Sequence, residues 1–131
     1  RGMQEINVLF GGSLTCLGGL PRHHRGSWDA DYESLFDHHH SVDLMPGGAL
    51  AGRSAQRRVQ VNSVHQQGID RLGRGLSVEA IAADDGLVEA VSARPCGGEV
   101  LGVQWHPEYL FYLPSQLALF RWLVSCVKVG R

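Results

Sequence analysis

The chain is 131 residues long, which suits a single domain with a modest hydrophobic core. Hydrophobic residues make up 44% of the sequence and charged residues 19%, proportions that are typical of a globular protein and exclude a disordered chain. The 12 Lys and Arg residues nearly balance the 13 Asp and Glu residues, so the net charge of −1 predicts neither a nucleic-acid partner nor an anionic membrane partner.

The first part of the chain predicts little regular structure. Residues 3–10 have the apolar spacing of a short helix, and the pair Gly11-Gly12 is expected to end it. Residues 15–40 show no clear period and predict a long loop. A short strand is predicted at 41–44, before a turn at Pro46-Gly47-Gly48. The apolar face predicted for the helix consists of Ile6, Leu9 and Phe10.

The rest of the chain alternates between predicted strands and tight turns. Asp84-Asp85-Gly86 is typical of a hairpin turn, and residues 94–98 predict a second turn. Residues 116–127 have the spacing of an amphipathic helix. Four strands are predicted, the last of them buried on both faces, at 58–62, 77–83, 87–93 and 100–105. The predicted inner face of the helix comprises Leu117, Phe120, Leu123, Val124 and Val127. The order of elements predicts the back half of an α/β domain.

The sequence around His106 contains the clearest candidate for a catalytic motif. The predicted strand ends there, and sites in α/β proteins form at the carboxyl ends of strands. Pro107 disfavours a helical conformation for His106, and in an extended backbone residues two apart point the same way. Glu108 is therefore expected beside the imidazole, where a carboxylate fixes the tautomer and stabilises the imidazolium. The motif indicates the base and orienting carboxylate of a nucleophilic triad; a surface His and Glu beyond a strand end is the alternative.

Several segments, in the same order along the chain, resemble the class I glutamine amidotransferase-like superfamily, and within it the γ-glutamyl-γ-aminobutyrate hydrolases. The family's nucleophile turn has the pattern Gly-x-Cys-x-Gly-x-Gln, and Arg1-Gly2-Met3-Gln4 matches its tail. The other similar segments are 5–14, 61–67 and 101–108. The resemblance covers nearly the whole chain, but only the C-terminal half of the family's domain.

The resemblance implies a flavodoxin-like three-layer α/β sandwich, incomplete here, with residues 1–131 as the C-terminal part of a single domain. It also implies a Cys-His-Glu triad whose last two members are His106 and Glu108. The chain is then expected to begin just after the nucleophilic cysteine, with the backbone N–H of Arg1 as one oxyanion donor. The residues that the resemblance assigns to substrate binding are Gln4, Asn62, Ser63 and His65. It implies no cofactor and no metal.

Some of these residues also have simpler roles open to them. Gln4 could simply brace the nucleophile turn, and Asn62 could simply hydrogen-bond the backbone of a turn. His65 could pack a loop as readily as line a pocket. Trp105 and Tyr109 are expected to pack around the strand end.

The remaining cysteines and the other histidines are assigned no role in this reading. Cys16, Cys96 and Cys126 lack the strand–turn–helix context of a nucleophile, and their irregular spacing does not indicate disulfides. The histidine-rich run at 37–40, together with His23-His24, suggests a metal site as one interpretation. Neighbouring side chains of an extended segment point apart, however, so a solvated loop is favoured.

The resulting hypothesis is hydrolysis of γ-glutamyl amide bonds, in γ-glutamyl-γ-aminobutyrate or related γ-glutamyl amines, by a soluble cytoplasmic protein. Two alternatives stay open: a glutaminase that passes ammonia to a partner synthase, and a binding module that keeps the fold without a nucleophile. The expected partner is a small γ-glutamyl substrate, and an uncovered sheet edge favours association into a homo-oligomer. Without the cysteine, residues 1–131 alone are expected to be inactive.

Overall fold

The first helix, α1 (Gly2–Leu9), ends at the glycine pair, as the sequence predicts. The backbone N–H of Gly11 donates to the carbonyl of Val8 at 2.9 Å, and that of Gly12 donates to the carbonyl of Asn7 at 2.8 Å. These are the two bonds of a Schellman cap. Gly11 has a φ of +82°, a conformation that glycine adopts without steric strain.

The computed structural model describes residues 1–18, 23 and 31–129. The strands in these ranges are β1 (Ser13–Cys16), β2 (His39–Leu44), β3 (Arg58–Asn62), β4 (Gln67–Arg71), β5 (Ser77–Ala82), β6 (Val88–Ala93) and β7 (Val100–Val103). The further α-helices are α2 (Tyr32–Leu35) and α3 (Pro114–Val129), and short 3₁₀ turns lie at Ala51–Arg53, Pro95–Gly97 and Pro107–Tyr109.

Five strands form one antiparallel sheet in the order β3-β2-β5-β6-β7, and β1 pairs with β4 in a second, two-stranded sheet. Adjacent residues of a strand face opposite sides, and β6 shows this in the core. Ala90 belongs to an apolar cluster with Val42 and Trp105, whereas Val91 packs with Met3 of α1. The large sheet therefore lies between two apolar layers.

The segments with alternating polarity fold as the sequence predicts. β3 coincides with its predicted strand, and the bounds of β5 and β6 each differ from prediction by one residue. The hairpin turn between them is also confirmed. Gly86 has a φ of +74° there, and its N–H donates to the carbonyl of Ala82 at 2.9 Å.

The loop predicted at 15–40 is wrong at both ends. β1 extends to Cys16, and β2 begins at His39, two residues before its predicted start. β4 is missed altogether, because Ile69 is its one strongly apolar residue and provides no alternating pattern. Residues 19–22 and 24–30 of the predicted loop, including His24, lie outside the described residues.

The strand before His106 differs from prediction in its burial. β7 is an edge strand of the large sheet, and most of its residues are half-buried instead of enclosed on both faces. Its closest neighbour on one side is α1, since a Cβ on Gly102 would lie 3.2 Å from the Cα of Met3. The absence of a side chain at Gly102 therefore lets the helix approach the strand.

The apolar faces predicted for α1 and α3 are partly wrong. In α1 the buried side chains are Met3, Gln4 and Asn7, whereas Leu9 is 83% exposed. In α3 burial is confined to the first turns, where Leu119 packs against the apolar cluster of Trp105. The residues of α3 that are exposed against prediction are Leu123, Val124 and Val127. None of the described helices has the length and apolar character needed to cross a membrane.

Candidate active site

His106 lies just beyond β7, where the chain enters the 3₁₀ turn at Pro107–Tyr109. Pro107 begins this turn, a position that suits its fixed φ and its missing N–H. His106 has φ −110° and ψ 85°, outside the helical region. Nδ1 of His106 and Oε1 of Glu108 are 2.8 Å apart. A tight turn, and not the extended backbone expected from the sequence, brings the two side chains together.

The contact with Glu108 determines which nitrogen of His106 can take part in chemistry. A carboxylate only accepts hydrogen bonds, so Nδ1 carries the proton and donates it. Nε2 is then left with its lone pair. Both side chains are partly exposed, so the pair adds little to stability and its main effect is on the orientation of the imidazole.

The backbone of His106 is held by a second residue, Asn62, at the end of β3. Asn62 Nδ2 donates to the carbonyl of His106 at 3.0 Å, and the N–H of His106 donates to Asn62 Oδ1 at 2.7 Å. The Asn62 side chain is buried and both of its polar ends are engaged in this contact. This arrangement favours a positioning role for Asn62 over a direct contact with substrate.

Aromatic side chains flank the imidazole. The Phe36 ring lies edge-on to His106, with 5.0 Å between the ring centroids. The same ring stacks on Tyr109 at 4.2 Å. Trp105 is buried and donates from Nε1 to Gln116 Oε1 at 2.9 Å, which ties the segment to α3. The packing predicted for Trp105 and Tyr109 is present, whereas Phe36 lies in the predicted loop and carries no sequence signal.

A cavity of about 960 Å³ adjoins His106, at the upper end of the range for small-molecule sites. Its lining residues come from α1 and the residue before it, from β1, from the segment after β3 up to the start of β4, and from the residues after β7. They are Arg1, Gln4, Glu5, Val8, Leu9, Leu14, Val64, His65, Gln66, Gln67, Gln104 and His106. The N-terminus of α1 and the imidazole of His106 therefore share one space.

Gln4 joins the two walls of this cavity. Its Nε2 donates to the carbonyl of Gln67 at 2.9 Å and to Oε1 of Gln104 at 3.3 Å. Gln4 is nearly buried, so the carboxamide braces α1 against the end of β7 while lining the cavity. Arg1 lies at the N-terminal end of α1, with its side chain paired to Glu5 in solvent.

The two other predicted substrate residues lie deeper. Ser63 is fully buried, and its hydroxyl donates to the carbonyl of His23 at 2.8 Å. His65 lines the cavity, and its Nδ1 lies 2.9 Å from the carbonyl of Gln67. The structure thus brings His65 to the cavity together with Gln4, Arg1 and His106, and places Ser63 behind the wall.

The resident cysteines lie away from this cavity. Cys16, Cys96 and Cys126 are free and exposed, and none belongs to the lining. Cys96 sits in the turn after β6 with a φ of 52°, and Cys126 sits in α3. No described cysteine is therefore placed to attack a substrate beside His106.

A second polar group adjoins the cavity through His65, and it changes the interpretation of the other histidines. His23 and His40 are buried, so the solvated loop inferred for them is wrong. Both rings face the carboxylate of Glu89 on β6, as does His65. Sequence reasoning missed Glu89, because an alternating strand gives no sign that one of its carboxylates faces inward.

The charges in this group perturb one another. Burial alone would raise the pKa of the Glu89 carboxyl, but the three imidazoles around it hold that pKa well below its usual range. Burial alone would lower the pKa of His23, and the carboxylates of Glu89 and Asp85 raise it above its usual value. Two of these imidazoles, those of His23 and His40, together with the Glu89 carboxylate, are also a set of groups that can hold a metal.

The Peptidase C26 family profile matches residues 1–108. The chain belongs to the Peptidase C26 family. A Schizosaccharomyces pombe protein named as a glutamine amidotransferase is 37% identical over 134 residues, which cover 98% of this chain and 49% of that protein. Protein NtpR of Enterococcus hirae is 34% identical over 117 residues, covering 82% of this chain and 44% of that protein. This Peptidase C26 chain spans about half the length of the curated relatives it matches.

The fold of this Peptidase C26 chain is similar to that of a solved Thermoplasma acidophilum chain named as a GMP synthase subunit. The TM-score is 0.64 over 97% of this chain and 54% of that chain. The sequence identity is 16%, so the likeness shows the fold alone. The predicted α/β fold of the class I glutamine amidotransferase type is confirmed, as is the wider resemblance. The narrower branch of γ-glutamyl-γ-aminobutyrate hydrolases stays a prediction.

Proposed function

We propose that this chain supplies the acid–base residues and one pocket wall of a cysteine-dependent hydrolase of γ-glutamyl amide bonds. The observation that carries this proposal is the 2.8 Å pair between His106 Nδ1 and Glu108 Oε1, beside a cavity shared with the start of α1. Membership of a peptidase family points to amide hydrolysis. The names of its relatives point to the γ-amide of glutamine. The substrate that unites them is a γ-glutamyl amide.

The proposed nucleophile is a cysteine encoded immediately before Arg1, as the resemblance implies. A thiol at that position would lie at the N-terminus of α1, where the helix dipole favours the thiolate and lowers its pKa. The backbone N–H of Arg1 would then point at the developing oxyanion. Nucleophile, oxyanion donor and His106 would then lie around one cavity.

The reaction follows from these positions in two steps. The thiolate attacks the γ-carbonyl carbon, the C–N bond breaks, and the imidazolium of His106 protonates the leaving amine. His106 then takes a proton from water, which attacks the thioester and releases glutamate and the thiolate. Glu108 stabilises the imidazolium in both steps and keeps Nε2 as the reacting nitrogen.

Gln4 is the proposed polar contact for the glutamyl group, and the His65 ring forms part of the pocket wall beside it. Both line the cavity, and both are held by the carbonyl of Gln67. Asn62 and Ser63 would act through the residues they hold, since their polar atoms are engaged within the protein. The pocket would therefore be rigid where it contacts the substrate.

A second candidate is a glutaminase that delivers ammonia to a synthase. The S. pombe relative carries the name of a glutamine amidotransferase, which favours glutamine as the substrate. The first step is the same and the leaving group is ammonia. A partner would then raise the rate of glutamine cleavage, whereas the free-standing hydrolase needs none.

The test uses the protein made from the complete reading frame that contains this chain. It is incubated with γ-glutamyl-γ-aminobutyrate, with glutamine, and with the matching α-glutamyl amide as control, and released glutamate and amine are measured. We expect equal amounts of glutamate and amine from γ-glutamyl substrates and none from the α-isomer. Replacing the residue before Arg1 by serine should abolish this, while Cys96→Ser should not.

Two outcomes would reject the proposal. Cleavage of glutamine but of no substituted γ-glutamyl amine, accelerated by a partner, would reject the free-standing hydrolase and establish the glutaminase. A folded protein with no cysteine before Arg1 that binds γ-glutamyl compounds without cleaving them would establish the binding module.

A further inference from the structure

A buried polar cluster shares His65 with the cavity lining, and the proposed reaction does not use it. His40 comes from β2, Glu89 from β6 and His65 from the segment after β3, and His23 completes the group. All four side chains are at least nine-tenths buried. Four parts of the chain that are distant in sequence thus direct ionisable groups at one point.

The atoms at the centre of this cluster are unsatisfied. Among the residues that the structure describes, no hydrogen bond reaches His23 Nδ1, His40 Nε2, His65 Nε2 or either carboxylate oxygen of Glu89. Buried polar atoms are almost always hydrogen-bonded, because leaving one unpaired costs about 1–3 kcal/mol. Five unpaired atoms that face one another indicate a ligand between them.

The other nitrogens of two rings show what kind of ligand is needed. His65 Nδ1 lies 2.9 Å from the carbonyl of Gln67, and His23 Nε2 lies 2.8 Å from Oδ2 of Asp85. Both partners only accept, so both nitrogens carry protons. In the neutral imidazole the opposite nitrogen is then a bare lone pair, and it points at the Glu89 carboxylate. Lone pairs facing a carboxylate repel unless a cation lies between them.

Protons on the facing nitrogens do not account for the distances. An N–H donated by an imidazolium to a carboxylate brings the two atoms to about 2.7–2.9 Å. The three nitrogens instead lie 3.5, 3.5 and 3.4 Å from the same oxygen, Glu89 Oε1. Doubly protonated His23 and His65 would also place two buried cations with ring centroids 4.9 Å apart.

A metal ion accounts for the same distances. Zinc binds imidazole nitrogen and carboxylate oxygen at about 2.0–2.1 Å, so neighbouring ligands of a tetrahedral site are roughly 3.3–3.4 Å apart. The observed separations of 3.4–3.5 Å from Glu89 Oε1 fall next to this value. The donor atoms of His23, His40 and Glu89 all lie within 4.8 Å of one another.

The surroundings fit a metal as well. Asp85 and the Gln67 carbonyl hold two of the imidazoles by their outer nitrogens, as the partners of metal-binding histidines commonly do. The two positive charges of a divalent cation would balance the negative charges of the buried Glu89 and the part-buried Asp85.

We propose that His23 Nδ1, His40 Nε2, His65 Nε2 and Glu89 Oε1 bind one Zn²⁺. Four protein ligands fill a tetrahedral site, so the ion would be structural and not catalytic. His65 belongs both to this site and to the cavity lining, and the ion would therefore fix the cavity wall at 64–67. The site does not depend on the proposed γ-glutamyl hydrolysis.

The first test measures metal in the wild-type protein, made untagged from its complete reading frame. We expect about one equivalent of zinc by elemental analysis after dialysis into metal-free buffer, and a lower melting temperature after a strong chelator. Cobalt added to the stripped protein should give the intense visible bands of a tetrahedral site. X-ray absorption of the zinc form should show four N or O ligands at about 2.0–2.1 Å, including imidazoles.

The second test uses variants with a matched control. His40→Ala and Glu89→Gln should each weaken zinc binding by more than the about 10–100-fold expected for Asp85→Asn, which removes only an outer partner. His39→Ala is the control, because His39 is the exposed neighbour of His40 on the same strand. It should keep the zinc content and affinity of the wild type.

The proposal is overturned if the wild-type protein holds no zinc and gives no cobalt bands. It is also overturned if His39→Ala loses the metal while folded His40→Ala keeps it, since the ion would then lie on the surface. The wild-type metal content and absorption spectra decide the matter even if a variant fails to fold. None of these measurements uses enzymatic activity, so failure of the proposed hydrolysis leaves the result readable.

Discussion

The carboxamide of Asn62 binds both the N–H and the carbonyl of His106, at 2.7 and 3.0 Å, across 44 residues of sequence. Such a two-point contact resembles the pairing of neighbouring strands and fixes both the position and the rotation of the His106 backbone. Because β7 ends at Val103, no strand pairing holds His106 itself. Asn62 therefore holds the backbone of His106, the residue with the proposed acid–base role, in place of strand pairing.

Asn62→Asp should therefore lower kcat and leave KM nearly unchanged. Aspartate has the same shape but loses the Nδ2 donor, and its charge repels the His106 carbonyl. We expect a decrease in kcat of at least about 10-fold, since small displacements of a reacting group cost about that much or more. Gln60→Ala, an exposed change on the same strand, is the control and should have no effect. A change confined to KM would instead make Asn62 a substrate contact.

His106→Ala should be far more damaging than Glu108→Gln. The first removes the general acid and base, and the second weakens only the orientation and charge of the imidazole. A thiol ionises readily, so the carboxylate matters less than it does for a serine nucleophile. We expect kcat to fall at least about 100-fold further in His106→Ala, with substrate binding close to wild type in both variants. Steady-state kinetics on the complete protein measure this, and equal losses in two folded variants would contradict it.

Asn7→Ala should destabilise the fold without touching the cavity. Asn7 is fully buried, donates to the carbonyls of Ser13 and Arg71 and accepts from the N–H of Gly73. The truncation leaves these backbone groups unpaired, so we expect a loss of at least about 1–3 kcal/mol in urea unfolding. Replacing Ser13, whose hydroxyl bonds Asp70 in solvent, by alanine should change stability by less than about 0.5 kcal/mol.

The two ends of α3 should respond differently to truncation. Leu119→Ala removes a side chain packed on the core, and we expect a loss of about 1–3 kcal/mol in thermal or urea unfolding. Leu123→Ala changes a side chain that is 57% exposed, and we expect less than about 0.5 kcal/mol. Similar losses would show that another surface covers the second half of the helix in solution.

The parts of the fold that the sequence predicts are those with a local signal. β3, β5 and β6 have an alternating pattern in the sequence, and Gly86 indicates the turn between two of them. β4 carries one large apolar residue and pairs with β1, a partner more than 50 residues away, so nothing local specifies it. The predicted burial of Leu123 fails because a periodic apolar face shows what a helix can bury, not how far the neighbouring sheet extends.

The same distinction holds for the site. His106 and Glu108 are two residues apart, and their pairing follows from a short motif. His40 and Glu89 meet only through the order of β2, β5 and β6 in the sheet. A histidine run in sequence carries no information about a carboxylate 49 residues further along, which is why a solvated loop is the simpler interpretation of the sequence alone.

The contact of Gln4 with Gln104 joins residues 100 positions apart, and it has a consequence for the order in which the protein is made. At about 5–20 residues per second, the ribosome adds Gln104 roughly 5–20 s after Gln4. α1 is therefore made well before the strand that covers it exists. Contacts so distant in sequence also close slowly in refolding, because the intervening chain must first be ordered. The cavity should accordingly form only in the slowest folding phase. Until then α1 should be the element whose apolar residues are exposed for longest.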